Sequence, residues 1–333
     1  MNLRNLLTAT VIQTAAIGAL WAQSQQYVVL DIAWNSAVSY VDDVLDPAKN
    51  ATLPGPVSIN PSVKNLEAYM VIGDLVSVNG KPVKGNFVIR GRVFALSTTA
   101  APGSGSSIGD IGRGGASDMY LEIREIGGTQ IGTIMTSGFT GGLAPPGATA
   151  GYFLNFAVTG GTGAYIGVSG MLVSPSCCGR GASIQEDPSY RRINGGTQGT
   201  MRVYLIPKTY PQVVTTVDGP AIVHASDGSL VTTAKPAKSG EVLMLYATGL
   251  GPTIPTLGPG NVFSASPLQT ANSPIVVTVG GQPAEVLFAG GYPGSADGFQ
   301  VNFRVPSGAV PGTAALQLVA AFAPGTPVNV PLQ

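Results

Sequence analysis

Few side chains in this chain could do chemistry, and their spacing narrows what that chemistry could be. His224 is the only histidine. A Ser-His-Asp relay would have to use it, yet it lies beside a strand-like run in the C-terminal half, where a surface or hydrogen-bonded structural histidine is the better reading. The adjacent Cys177 and Cys178 are the only cysteines. With one histidine they supply a transition-metal site poorly, so no metal or other cofactor is expected. In an oxidising compartment the pair could close a strained vicinal disulfide that stiffens its loop, bridge two chains, or stay as thiols. Asp42, Asp43 and Asp46 offer oxygen ligands, but they lack the Asp-x-Asp-x-Asp-Gly spacing and the closing glutamate of a calcium loop, so solvated acids near a turn are preferred.

The carboxylate of most interest is Asp31. It interrupts the otherwise apolar run from Tyr27 to Ala33, and a carboxylate on a buried strand must be paired or shifted in pKa. Strand alternation sets Arg90 with Arg92 on one face, and Glu122 with Arg124 on one face. If those faces point inward, Asp31, Arg90 and Glu122 could line a polar cavity that orients a ligand or performs acid–base work. The alternative, that the charges pair on the outer surface, is preferred. Gly160-Gly161-Thr162-Gly163 looks like a phosphate cradle, but no helix N-terminus or Lys-Ser/Thr pair follows it. It reads as a hairpin turn.

These residues must be positioned by strands. Tyr152 to Val173 gives two β-branched and aromatic stretches around that glycine-rich turn, with Phe153 to Val158 and Tyr165 to Val168 as pleated surface. Tyr69 to Val78, Asn79-Gly80 and Val83 to Leu96 form a second hairpin, since Asn-Gly is the strongest short turn signal. Met119 to Ile126, Gln130 to Phe139 and Gly199 to Pro207 add further strands. Between them lie an irregular stretch from Asn35 to Asn65 broken by four prolines, a Gly/Ser-rich loop or lid from Thr98 to Ala116, and a polar irregular stretch from Ser174 to Asn194. Roughly eight strands without a convincing helix imply a closed barrel or a sandwich. The second half holds only eight charged residues. Its short strands, Ala221–Ala225, Glu241–Thr248, Ile275–Val279, Ala284–Ala289, Phe299–Val305 and Ala314–Ala320, recur between Gly/Pro turns as in a small β-sandwich.

Length and composition agree with two such units. A chain of 333 residues exceeds the size at which one core keeps growing. Its 46 glycines and 26 prolines punctuate helices everywhere, while 44% hydrophobic residues can fill real cores. Basic and acidic residues balance at 17 each, so nothing attracts nucleic acid electrostatically. Arg4, an apolar segment from Leu6 to Trp21 and the small Ala22 read as an export signal cleaved near Ala22. The segment is too short and too interrupted to be a stable membrane span. The expectation is a secreted, extracellular or periplasmic monomer.

Two resemblances extend this reading. Ala221 to Thr253 and Ser273 to Pro306, with the Gly249-Leu250-Gly251-Pro252 corner, the Val279-Gly280-Gly281 turn and Gln300-Val301-Asn302-Phe303, resemble a C-terminal domain common in secreted proteins of acidobacteria. They also resemble the wider IPT/TIG group of immunoglobulin-like domains. This implies a sandwich and a secreted context, with no catalytic residues to carry over. Phe156 to Tyr165, Gly167 to Gly170 and Asn79 to Gly85 resemble, more distantly, the allene oxide cyclase-like and dirigent-like barrels, which hold or steer small hydrophobic molecules. The expected architecture is all-β: a signal peptide at 1–22, an eight-stranded antiparallel β-barrel at 23–208, a linker at 209–220 and an immunoglobulin-like β-sandwich at 221–333. The expected function is a non-catalytic secreted or surface protein whose sandwich attaches to an extracellular partner and whose barrel binds a glycan or small apolar ligand. The alternatives are an isomerase or cyclase acting in the barrel cavity, and a purely structural component.

Overall fold

The computed structural model of the protein describes residues 27–41, 68–94, 114–140, 154–175, 180–183, 185–258 and 260–333. The segment expected to be an export signal, Asp42, Asp43, Asp46, Cys177, Cys178 and most of the Thr98–Ala116 loop lie outside them. The described chain is all-β, with one 3-10 turn at Pro188–Arg192 and no helix long and apolar enough to cross a membrane.

The first unit contains β1 (Val28–Val41), β2 (Ala68–Val78), β3 (Lys81–Pro82), β4 (Lys84–Phe94), β5 (Gly114–Arg124), β6 (Gln130–Thr140), β7 (Leu154–Gly163), β8 (Ser169–Ser174), β9 (Arg180–Ser183) and β10 (Thr197–Ile206). Eight of them close an antiparallel barrel in the order β2-β4-β5-β6-β7-β8-β10-β1, with β1 returning to β2. The Asn79-Gly80 turn forms as expected, with φ of 50° and 74°. Its asparagine also serves the closure, because its side chain accepts from the Asp31 N–H at 2.8 Å and donates to the Val29 carbonyl at 3.2 Å.

Three local features depart from the sequence pattern. β1 runs on to Val41 instead of stopping at Ala33, because a bulge at Ser36, with φ of 53°, switches which side chains face inward. Val28, Leu30, Ile32 and Trp34 point inward before it, and Ala37 after it. That switch hides the period of two. The turn between β7 and β8 is not Gly160–Gly163 but Ala164–Gly167, so Tyr165–Val168 belong to no strand. The glycines end β7 instead: Gly163 has φ of 62°, and a Cβ there would lie 2.5 Å from the Ile131 carbonyl oxygen. Within Ser174 to Asn194, β9 pairs in parallel with Val38–Val41, and the 3-10 turn is capped by Asp187.

Inward side chains fill the barrel. Leu30, Ile32, Phe87, Met119, Leu121, Ile123, Ile134, Phe156, Leu172 and Val203 are no more than 2% exposed. Trp34 meets Phe87 edge to face at 5.6 Å. The second unit is one curled sheet in which the long strand Gln282–Gly291 pairs with Ile275–Val279 on one side and Phe299–Arg304 on the other. It folds over Leu243, Leu245, Val277, Phe303, Leu316 and Leu318 as a sandwich-like core. Val328–Leu332, which carries Pro331, is an extra strand paired with Gly312–Leu316.

The tight-turn end of the barrel meets the second unit. Ala321 and Phe322, at φ of 48° and 68°, make the turn between Gly312–Ala320 and Ala323–Pro324 and join the barrel's buried cluster. Asn272 Nδ2 donates to the Gln130 carbonyl at 3.1 Å across the same joint. Phe322→Ala should therefore cost about 3 kcal/mol and split urea unfolding into two transitions, read by tryptophan fluorescence against far-UV dichroism. A single transition at the wild-type midpoint would contradict this packing role.

Outside the barrel wall, Asp74 accepts from Arg191 and, at 2.7 Å, from Arg192 Nε. Burial alone would raise the Asp74 pKa, but the two arginines hold it below the usual carboxylate range. In the second unit, burial likewise opposes ionisation of Glu241, yet His224 and the Lys238 N–H keep its pKa low. His224 is thus a buried, hydrogen-bonded structural residue. A depressed carboxylate pKa contributes stability that is complete above the unfolded value of about 4 and lost as pH falls through the lower folded value. Asp74→Asn should lower stability by about 3 kcal/mol at pH 7 and weaken the loss between pH 5 and pH 2, measured by denaturant titration. An unchanged acid dependence would remove Asp74 as its source.

Candidate functional site

The three cavity candidates do not converge. Asp31, Arg90 and Glu122 all lie on the outer wall, because their strand neighbours Leu30 and Ile32, Ile89, and Leu121 and Ile123 occupy the interior. Asp31 pairs with Arg202 Nε at 2.6 Å, Glu122 with Arg124 at 2.7 Å, and Arg90 with Asp118 at 3.6 Å. The preferred outer-surface reading is the one the structure adopts. Alternation alone could not decide it, since a one-residue change of register exchanges the faces. Among the described residues, no charged side chain points into the lumen. Of the polar groups that do, Tyr69 Oη bonds Ser117 Oγ, Thr136 Oγ1 donates to Met119 O and Ser174 Oγ donates to Thr200 O, whereas Trp34 Nε1 and Tyr165 Oη are buried in the same core without a hydrogen-bond partner among the described residues. Among the described residues no acid and base converge there.

One of the three sits in a different site. Register places Met70, Arg90, Asp118 and Ser137 side by side across β2, β4, β5 and β6, and Ala68, Arg92, Ala116 and Phe139 in the next outward row. Together these two rows bound an open groove of about 630 Å³. The inward row between them is Tyr69, Gly91, Ser117 and Gly138. Gly91 has a steric reason: a Cβ would lie 2.6 Å from both the Ala116 carbonyl and Ser117 Oγ, where Tyr69 reaches across to its partner. The groove floor is consequently bare backbone with small side chains.

Its chemistry is specific. Asp118 faces the Arg90 guanidinium, whereas Arg92 has no carboxylate within ion-pair distance among the described residues. Two guanidiniums against one carboxylate leave the groove net positive, with planar donors suited to a ligand carboxylate. Phe139, 43% exposed, offers an apolar platform beside the hydroxyl of Ser137. Sequence alternation shows the Arg90–Arg92 face, but not Asp118, Ser137 or Phe139. The Asn79-Gly80 turn pins β2 against β4, whereas the long β4–β5 connection leaves their register open. No group of three or more His, Cys, Asp or Glu among the described residues could hold a metal ion. Asp31→Asn should shift stability by less than about 1 kcal/mol, measured by urea denaturation, as expected for an exposed pair. A loss of several kcal/mol would place this pair in the interior.

No family model matches the sequence, and no curated protein matches it. Among solved structures, pyocyanin demethylase aligns over 54% of this chain and 99% of its own at 16% identity, with a TM-score of 0.27. So slight a likeness carries no argument about chemistry.

Proposed function

We propose that this is an exported, monomeric, non-catalytic recognition protein whose barrel wall binds an acidic glycan. Its immunoglobulin-like sandwich serves as the attachment module. The observation that carries the reading is the contrast between a lumen filled by apolar side chains and an outer groove holding Arg90, Arg92, Asp118, Ser137 and Phe139. A uronate carboxylate would be taken by the Arg92 fork, sugar hydroxyls by Asp118, Arg90 and Ser137, and the apolar face of the ring by Phe139. The resemblance of the sequence to secreted sandwich domains and barrel families supports the location and the division of labour. It does not itself identify a ligand.

The test is calorimetric titration of the mature protein with oligogalacturonate and with a neutral galactose oligomer of equal length. Saturable binding of the acidic oligomer alone is expected, weakening about tenfold or more in Arg92→Ala and falling with added salt. Equal binding of both oligomers, or full affinity in Arg92→Ala, would overturn the assignment.

A further inference from the structure

A second concavity, of about 400 Å³, lies where the tight-turn end of the barrel meets the sandwich-like unit. It does not share residues with the groove. One wall carries the Gly163–Ile166 segment and Lys208, and the other carries Gly249–Pro252, Asp297 and Ala321. The walls are held in place. Phe322 is buried with the barrel core, Asn272 bonds across the joint, and Pro207 and Pro211 stiffen the crossing chain. Close contacts restrict the corner as well, since a Cβ on Gly249 would lie 2.4 Å from the Tyr210 carbonyl oxygen. The cleft is therefore formed before any ligand arrives, so little binding energy is spent on ordering it.

Its charges are separated and uncompensated. The Lys208 stem packs over Gly167, whose added Cβ would lie 2.9 Å from Lys208 Cδ, and the ammonium makes no ion pair among the described residues. Across the cleft, Asp297, an exposed residue, accepts the Gly249 N–H and also has no cationic partner among the described residues; partial desolvation raises its pKa. An ammonium on one wall and a carboxylate on the other, with peptide and small aliphatic surface between them, complement a molecule bearing the reverse pair. We infer that the interdomain cleft binds a small zwitterion of the amino-acid or dipeptide class, its carboxylate toward Lys208 and its ammonium toward Asp297. Joints between domains are common places for such sites.

The experiment is isothermal titration of the full mature chain with a panel of free amino acids and unmodified dipeptides, repeated with the N-acetylated and C-amidated form of the best binder. Two variants accompany it. Lys208→Met keeps an unbranched stem over Gly167, and Asp297→Asn keeps an acceptor for the Gly249 N–H; thermal melts confirm that both fold. Saturable binding by a zwitterion is expected, with at least a tenfold loss in each variant and in each blocked ligand. The inference is overturned if no member of the panel binds, if a blocked form binds as well as the free one, or if either folded variant retains wild-type affinity.

Discussion

Closure of β1 onto β2 is the constraint on which the barrel depends. A sheet of eight strands keeps two unpaired edges until its ends meet, and closure alone removes them. Here β1 meets β2 only by absorbing a bulge at Ser36, where the inward face changes from even to odd positions. The Asn79 side chain extends the same seam by two hydrogen bonds to β1. Once the ring is closed, its inward residues have nowhere to go but against one another. Leucines, isoleucines and phenylalanines fill the lumen, each fully buried side chain contributing about 1.5–3 kcal/mol.

A filled lumen decides where polar chemistry resides. An unpaired carboxylate or guanidinium inside it would lose several kcal/mol of hydration, and the nearby apolar walls could not replace that. The strands accordingly carry Asp31, Glu122, Arg90 and Arg124 on the outside, where exposed ion pairs keep their hydration and add little stability. On β2, β4, β5 and β6 the outward Arg90, Arg92, Asp118 and Phe139 bound a groove, because small residues and bare glycine backbone separate the long side chains. Packing and surface charge are thus assigned to opposite faces of the same strands.

The joint between the units shows a different compromise. Asn79-Gly80 uses residues that tolerate positive φ, whereas the corresponding turn in the second unit uses Ala321 and Phe322, for which that conformation costs roughly 1–2 kcal/mol each. Phenylalanine is nevertheless suited to its position, since burial of its ring with the barrel cluster offsets that cost. The strained turn and the stiff crossing segment together fix the cleft between Lys208 and Asp297.

The amino-acid pattern by itself determined that the chain is all-β, that strands run through Tyr69–Val78 and Gln130–Phe139, that Asn79-Gly80 turns, and that Arg90 shares a face with Arg92. These are local properties, set by side-chain period and by which residues tolerate positive φ. The tertiary structure alone decided the rest. The bulge at Ser36 erases the alternation that would have extended β1. Gly161 and Gly163 prove to be needed for close backbone approach beside β6, while the turn falls four residues later. Val328–Leu332 becomes a strand despite Pro331 because its partner Gly312–Leu316 lies at the sheet margin. Whether Asp31, Arg90 and Glu122 face a cavity or solvent depends on pairings between strands far apart in sequence. One residue of register reverses that answer, and only closure of the ring and packing of its interior select the register.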